Sequence, residues 1–155
     1  IKALKGIDNC KLQLIGGGVL KEELKNLANE NKVNVEFIGK IEHKNIYKYL
    51  QKADIFILPS LNEGMSNSIL EAMACGLPII ATDVGGSKEL INGNGFTVPK
   101  ENTQELKKSV LKYFNNKDLL MAIFIFRFSI RRRRHNPGFL ASTIELAGFV
   151  PFVLA

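Results

Sequence analysis

A chain of 155 residues, 46% of them hydrophobic, has room for one ordinary domain with a core and not for two. Its two cysteines, Cys10 and Cys75, lack the spacing of a metal site or a disulfide framework, and their apolar or small-residue surroundings favour buried free thiols in a reducing compartment. The net charge of +6 is concentrated near one end, because residues 1–118 hold 16 lysines against 14 acidic residues, so the body is not a strongly basic domain and we expect no nucleic-acid partner.

Strand and helix patterns alternate along the first half of the chain. The first predicted strand, residues 11–16, ends at three glycines, and a helix follows with apolar residues at helical spacing: Leu20, Leu24 and Leu27. Residues 33–39 alternate like a strand and precede a short helix marked by Ile46, Tyr47 and Leu50. Residues 54–60 are a continuous apolar run stopped by a proline, which is typical of a strand buried on both faces.

The second half continues this alternation. Residues 66–75 are predicted as a helix, 78–83 as a strand, 85–91 as a short helix and 95–99 as the next strand. A closing helix is marked by Leu106, Val110, Tyr113 and Phe114. The pattern predicts an α/β fold, a Rossmann-like doubly wound parallel sheet with helices on both faces. In such sheets ligands bind outside the carboxyl ends of the strands, so the candidate site lies in the loops that follow them.

The composition changes after the predicted closing helix. Every lysine or arginine position up to Lys117 is lysine, and every later one, from Arg127 onward, is arginine. We therefore hypothesise that residues 119–155 are an atypical tail that is disordered, out of frame or foreign. The alternative is an authentic basic hinge followed by an amphipathic or membrane-touching end. Pro137 and Pro151 interrupt the final apolar stretch, which falls short of the ~20 apolar residues of a spanning helix.

Three consecutive glycines, Gly16, Gly17 and Gly18, stand between the first strand and its helix. Without side chains, such a loop lets the backbone approach a ligand and directs helix N–H groups at an anion. The dinucleotide-binding fingerprint is excluded, because its third glycine would fall at Lys21. A simple tight turn is the alternative interpretation.

Two glutamates flank the start of the helix that follows the third strand. Ser66, Asn67 and Ser68 are N-cap residue types, so free N–H groups and the positive end of the helix dipole should face the cleft and suit a diphosphate. Glu63 precedes this helix start and Glu71 lies one turn into it, and carboxylates accept paired hydrogen bonds from the vicinal hydroxyls of sugars. The alternative is a capping box from Ser68 to Glu71, with Glu63 as a solvated loop acid.

The residues around these two glutamates resemble a known family. The chain has seven residues between Glu63 and Glu71, followed by "EAMACGLPIIATDVGGSKELI" and "GNGFTVP" and preceded by "FIGKIEHKNIYKYLQKADIFILPSLNEG". These stretches resemble the C-terminal domain of retaining glycosyltransferases of the GT-B fold, particularly glycosyltransferase family 4 (glycosyl transferases group 1). The similarity covers roughly residues 1–118.

The resemblance implies a donor site for a nucleoside diphosphate sugar, with no cofactor and no metal. By that similarity Glu71 would hold the ribose hydroxyls, and Glu63, the implied catalytic residue, would contact the donor sugar. The diphosphate would bind the backbone of the helix start and the loop before it: Gly64, Met65, Ser66, Asn67 and Ser68. The nucleotide would approach Gly16, Gly17 and Gly18, and the base would meet the backbone of Gly39, Lys40 and Ile41.

The chain also departs from the resembled family. Family members carry an arginine and a lysine on a glycine-rich loop ahead of the segment similar to residues 11–18, and an N-terminal acceptor-binding domain. Both are missing here, so we expect this chain alone to be inactive. We predict that residues 1–118 are the nucleotide-sugar-binding domain of a longer hexosyltransferase. We expect this enzyme in the cytoplasm, and peripheral contact with the inner face of the membrane is an alternative location. A sugar-nucleotide epimerase of the same fold and a non-catalytic nucleotide-sugar binding module are the alternatives.

Four further polar residues receive no role in this donor site. His43 and His135 are far apart in sequence, and neither has a neighbour at metal-ligand spacing. Asp54 and Asp83 flank predicted strands, where turn or cap roles are expected. The sequence therefore predicts a donor site built from glutamates, glycines and helix N–H groups.

Overall fold

The computed structural model describes residues 1–91, 93–116 and 150–154. The strands of these ranges are β1 Cys10–Ile15, β2 Val35–Gly39, β3 Ile55–Leu58, β4 Ile79–Thr82, β5 Gly95–Val98 and β6 Val150–Leu154. The helices are α1 Lys21–Asn31, α2 Ile46–Leu50, α3 Asn67–Ala74, α4 Ser87–Leu90 and α5 Thr103–Asn115, with short 3₁₀ turns at Lys2–Leu4 and His43–Asn45. Each strand and helix predicted between residues 11 and 116 is present.

The strands form one sheet in the order β2-β1-β6-β3-β4-β5, and every neighbouring pair is parallel. Parallel strands need crossover connections, and the helices between successive strands supply them. The predicted α/β fold with a parallel, Rossmann-like sheet is confirmed. All strands therefore point the same way, and the loops after them meet at one edge.

Apolar side chains cover both faces of this sheet. In β3, Ile55 and Ile57 belong to one core cluster while Phe56 and Leu58 belong to the other, and all four are buried. Successive side chains of a strand point to opposite faces, so a run of four apolar residues fits a strand covered on both sides. Full burial of each such side chain contributes about 1.5–3 kcal/mol. The frame that carries the strand-end loops is thus anchored from both faces.

Strand β6 lies in the middle of the sheet, between β1 and β3. Phe152 pairs with Leu12 of β1 on one side and with Ile55 of β3 on the other. Pro151 of β6 pairs with Lys11 and, lacking an N–H, cannot donate a ladder hydrogen bond. The domain boundary near residue 118 stays a prediction, since residues 117–149 lie outside the described residues. No strand was predicted at β6, yet this segment completes the sheet.

Both cysteines are free thiols. Cys10 is buried and its Sγ–H donates to the carbonyl of Ile7 at 3.2 Å. Burial, assisted by the nearby Asp8 carboxylate, raises the pKa of the Cys10 thiol above its usual value, so the group stays protonated near neutral pH. Cys75 is partly buried and packs against the second core cluster.

Candidate functional site

The loops that follow β1 and β2 lie side by side. The N–H of Gly16 donates to the carbonyl of Gly39 at 2.9 Å. A Cβ added to Gly17 would lie 3.0 Å from Cγ of Lys40, so the lysine stem runs across the glycine loop. Gly16 and Gly39 have φ values of +129° and +81°, which side-chain-bearing residues rarely adopt. The structure thus brings together the two loops predicted for the nucleotide and its base, including the exposed Gly18 and half-buried Ile41.

The start of α3 is an open helix N-terminus. Ser66 is the N-cap residue with an extended backbone, is 5% exposed, and makes no side-chain capping bond. Ser68 is therefore the second helical residue and Glu71 the fifth, which does not fit the capping-box alternative, where these positions are N-cap and N3. The first N–H groups of a helix have no intrahelical acceptor and carry the positive end of its dipole. This end of α3 can bind an anion such as a phosphate.

Glu71 has a partner on another loop. Nε2 of His43 lies 2.5 Å from Oε1 of Glu71, and because an ionised carboxylate only accepts hydrogen bonds, the imidazole donates. The Glu71 side chain is 28% exposed and that of His43 is 82% exposed. The contact joins the 3₁₀ turn after β2 to the middle of α3. This partner of His43 was not predicted, because the two residues are 28 positions apart and no local pattern connects them.

The Glu63 carboxylate is hydrogen-bonded to Ser60, and Ser60 is in turn hydrogen-bonded to Thr82. The Ser60 hydroxyl donates to Oε1 of Glu63 at 2.7 Å. The Thr82 hydroxyl, at the end of β4, donates in turn to the carbonyl oxygen of Ser60. Thr82 is buried and Glu63 is half-buried. The alternative of a merely solvated loop acid is therefore a poor description of Glu63, whose carboxylate is oriented by the ends of β3 and β4.

The loop that carries Glu63 packs against the turn after β4. The N–H of Gly86 donates to the carbonyl of Gly64 at 3.2 Å. Gly85 has φ +52°, and a Cβ at this position would lie only 1.8 Å from the carbonyl oxygen of Glu63. Only a residue without a side chain allows this approach. Met65, which follows Gly64 in the loop that carries Glu63, is 64% exposed, so the outer side of this loop faces solvent.

These contacts connect all four strand-end loops along one edge of the sheet. Gly16 contacts Gly39, the turn beyond Gly39 reaches Glu71 through His43, and Gly64 contacts Gly86. Along the chain, Glu63 lies three residues before the N-cap Ser66 and Glu71 five residues after it, each with a hydrogen-bond donor of its own. Glu63 accepts one hydrogen bond from Ser60, and Glu71 accepts one from His43. The other lone pairs of each carboxylate can accept hydrogen bonds from hydroxyl groups of a ligand.

Within residues 1–91, 93–116 and 150–154, no group of three or more histidine, cysteine or acidic side chains is arranged to hold a metal ion. No helix in the same ranges has both the length and the apolar character needed to cross a membrane.

Residues 1–116 match the family model described as glycosyl transferases group 1. An uncharacterised glycosyltransferase of Methanocaldococcus jannaschii is 35% identical over 122 residues, which is 77% of this chain and 34% of the relative. The GDP-mannose-dependent monoacylated alpha-(1-6)-phosphatidylinositol monomannoside mannosyltransferase of Corynebacterium glutamicum is 29% identical over 116 residues, covering 70% of this chain and 30% of that protein.

The solved structures include a similar fold in the sucrose-phosphate synthase of Thermosynechococcus elongatus. The two superpose with a TM-score of 0.72 at 26% sequence identity, covering 83% of this chain and 35% of the synthase. The chain thus spans about a third of the length of the relatives that it matches.

Proposed function

Because the chain belongs to the glycosyl transferases group 1 family, we propose that it is the donor-binding half of a retaining glycosyltransferase. In this proposal a longer parent transfers a hexosyl unit from a nucleoside diphosphate sugar to an acceptor. The observation that carries the proposal is the pair of oriented carboxylates, Glu63 and Glu71, which lie along the chain before and after the open N-terminus of α3. The similar mannosyltransferase of Corynebacterium glutamicum is named as GDP-mannose-dependent, which supports a donor of this class.

Each part of the donor has a chemically suitable partner in the site. The diphosphate would accept hydrogen bonds from the backbone N–H groups that begin α3, where the helix dipole favours negative charge. Glu71 would accept hydrogen bonds from the two ribose hydroxyls, and Glu63 from hydroxyls of the transferred sugar. The joined loops at Gly16–Gly18 and Gly39–Ile41 would contact the nucleoside through backbone, since glycines there leave the approach open.

Transfer would depend on electrostatic stabilisation. Breaking the bond between the sugar and the diphosphate places negative charge on the leaving phosphate and positive charge on the sugar ring. In this proposal the α3 N-terminus would stabilise the first of these charges, and the Glu63 carboxylate, which accepts a hydrogen bond from Ser60, would stabilise the second. In this scheme the described half contributes no general base. The proposed retention of configuration rests on the family resemblance.

The parent is proposed to be cytoplasmic, with peripheral contact to the inner face of the membrane as an additional proposal. Two free thiols, Cys10 and Cys75, support a reducing compartment. The missing partner in this scheme is an acceptor-binding domain supplied by the remaining length of such a parent, since the relatives are about three times longer than the matched part.

Two alternatives share the same donor site. A sugar-nucleotide epimerase of the same fold would change the sugar, and a non-catalytic module would bind the nucleotide sugar unchanged. Turnover by the full-length parent separates the three. A glycosyltransferase releases nucleoside diphosphate and glycosylates an acceptor, an epimerase converts the donor sugar into its epimer, and a binding module changes neither.

Replacing Glu71 by glutamine is expected to weaken nucleoside diphosphate binding. The change keeps the size of the side chain and removes charge-assisted hydrogen bonds to ribose, which corresponds to about 1.5–3 kcal/mol, or roughly a 10- to 150-fold rise in Kd. NMR titration with UDP, GDP and ADP, which is suited to weak binding, would measure this change. Glu89→Gln, on the exposed face of α4, is the matched control and should bind like the wild type. Equal affinity of Glu71→Gln and the control would contradict the ribose role.

The 155-residue chain is expected to bind a donor sugar nucleotide without turning it over. The site here is half a cleft, and electrostatic stabilisation is largest in a closed site that excludes water. With contacts worth only about 4–5.5 kcal/mol, the Kd should be about 0.1–1 mM. NMR titration with UDP-, GDP- and ADP-sugars would measure binding, and an assay for released nucleoside diphosphate would measure turnover. Sugar-dependent release at an ordinary enzymatic rate would show that the second half is not required.

A further inference from the structure

We propose that His43 is a positioning residue, which fixes the Glu71 carboxylate for binding the vicinal hydroxyls of the donor's ribose. This inference rests on the proposed donor site and adds to it a residue that contacts neither the phosphates nor the sugar. The observation behind it is the 2.5 Å contact between Nε2 of His43 and Oε1 of Glu71.

The position of His43 in the chain is fixed locally. It begins the 3₁₀ turn His43–Asn45, which is closed by a hydrogen bond from the Asn45 N–H to the Glu42 carbonyl at 2.8 Å. The Asn45 side chain also donates to Oε2 of Glu42 at 3.3 Å, and Lys44 pairs with the same carboxylate at 3.0 Å. The neighbouring charges are thus satisfied within the turn. Among the ion pairs of the described residues, the one that includes Glu71 is with His43.

The contact leaves part of the carboxylate available. His43 occupies Oε1 of Glu71, so Oε2 and the remaining lone pair of Oε1 can accept from a ligand. A glutamate has three side-chain torsions, and ordering them on binding lowers affinity. Because the hydrogen bond from His43 already orders the Glu71 side chain in the free protein, binding of a ligand carries less of this entropic cost. The geometry therefore makes ribose recognition depend on a residue of the neighbouring loop.

The test compares ribose with deoxyribose in wild type and His43 variants of the 155-residue chain. UDP, GDP and ADP and their 2′-deoxy counterparts are titrated, and the nucleotide with the tightest binding is used throughout. His43→Ala should weaken binding of the ribonucleotide by about 3- to 10-fold and binding of the deoxynucleotide by less than about twofold. His43→Gln can place an amide N–H near the position of Nε2 and should restore most of the discrimination.

Two controls separate positioning from other effects. Lys44→Ala removes an exposed ion pair with Glu42 that contributes little at the surface, while the backbone hydrogen bond from Asn45 to Glu42 still closes the turn, so both affinities should stay unchanged. Thermal unfolding of each variant shows whether the fold is retained, since a purely structural role would weaken both nucleotides alike. Equal losses for ribo- and deoxynucleotide, or an effect of Lys44→Ala as large as that of His43→Ala, would overturn the proposal.

A nucleotide-independent measurement distinguishes this proposal from the proposed function. The side-chain ¹⁵N resonance of His43 Nε2 should move when Glu71 is replaced by glutamine, because the hydrogen bond loses its charged acceptor. An unchanged resonance would refute the contact even if the wild type binds nucleotides well. A changed resonance without any nucleotide binding by the wild type would refute the proposed function, and with it the ribose role of the contact.

Discussion

Removing residues 150–155 is expected to abolish the cooperative unfolding transition of the chain. Strand β6 pairs with five residues of β1 and three of β3, so its loss leaves two facing strand edges in the centre of the sheet. Each buried backbone group without a partner costs about 1–3 kcal/mol. Several of them together approach the free energy of unfolding of a whole domain, which is about 5–15 kcal/mol. Urea unfolding followed by far-ultraviolet circular dichroism would measure the loss, since the chain contains no tryptophan.

A pair of proline substitutions provides a matched control. Phe152→Pro places a second proline in β6 at the residue that pairs with both Leu12 and Ile55. It removes another ladder donor and should lower the unfolding midpoint strongly. Val19→Pro is the control, because Val19 is 98% exposed and holds the second position of the turn closed by the Lys21 N–H and the Gly18 carbonyl, where proline is well accepted. Equal midpoints for both variants, or a truncated chain as stable as the full one, would instead support the hypothesis of a foreign or out-of-frame tail.

Gly85→Ala is expected to destabilise the fold by about 2–5 kcal/mol. The left-handed backbone at φ +52° costs a residue with a side chain about 1–2 kcal/mol, and forcing a methyl group into a packed contact costs about 1–3 kcal/mol more. The new Cβ would lie 1.8 Å from the Glu63 carbonyl oxygen, so the Glu63 loop must move. Chemical denaturation would measure the free energy of unfolding.

The same substitution should separate the two parts of donor binding. Displacing Glu63 should remove the extra affinity that the sugar gives over the bare nucleoside diphosphate, while Glu71 and its ribose contact are retained. The neighbouring variant Gly86→Ala is the control, because a Cβ there would lie at ordinary distances of 3.5 Å from Gly64 and 3.8 Å from Met65. If both variants lowered stability and sugar-dependent affinity equally, the steric account of Gly85 would be wrong.

Local sequence patterns were sufficient to predict the elements between residues 11 and 116. The run of buried residues Ile55–Leu58 identified a strand covered on both faces, and the spacing of Leu106 and Val110 identified α5. Strand β6 was not predicted, because Pro151 argues against a central strand and its partners lie far away in the sequence. Pairing of that kind leaves no periodic signal within a window of neighbouring residues.

The candidate site shows the same division. Glu63, Glu71 and the glycine loops were identified from motif spacing and family resemblance, and the structure places them at one edge of the sheet. The contact of His43 with Glu71 and that of Thr82 with Ser60 were not foreseen, because each joins residues more than twenty positions apart. Ser60 alone had a local signal, three residues before Glu63. Side-chain partners across loops depend on the tertiary arrangement, which composition and periodicity do not encode.

The central position of β6 also constrains how the polypeptide acquires its structure during synthesis. The pairs Cys10–Val150 and Ile55–Phe152 join β1 and β3 to a strand that is synthesised about a hundred residues or more later. Pairings so distant in sequence form slowly, because a long loop must close before they contribute. Until β6 emerges, β1–β2 and β3–β4–β5 can exist only as two separate sheets with open edges. The nascent chain would therefore expose these open edges to edge-to-edge aggregation until β6 has been synthesised.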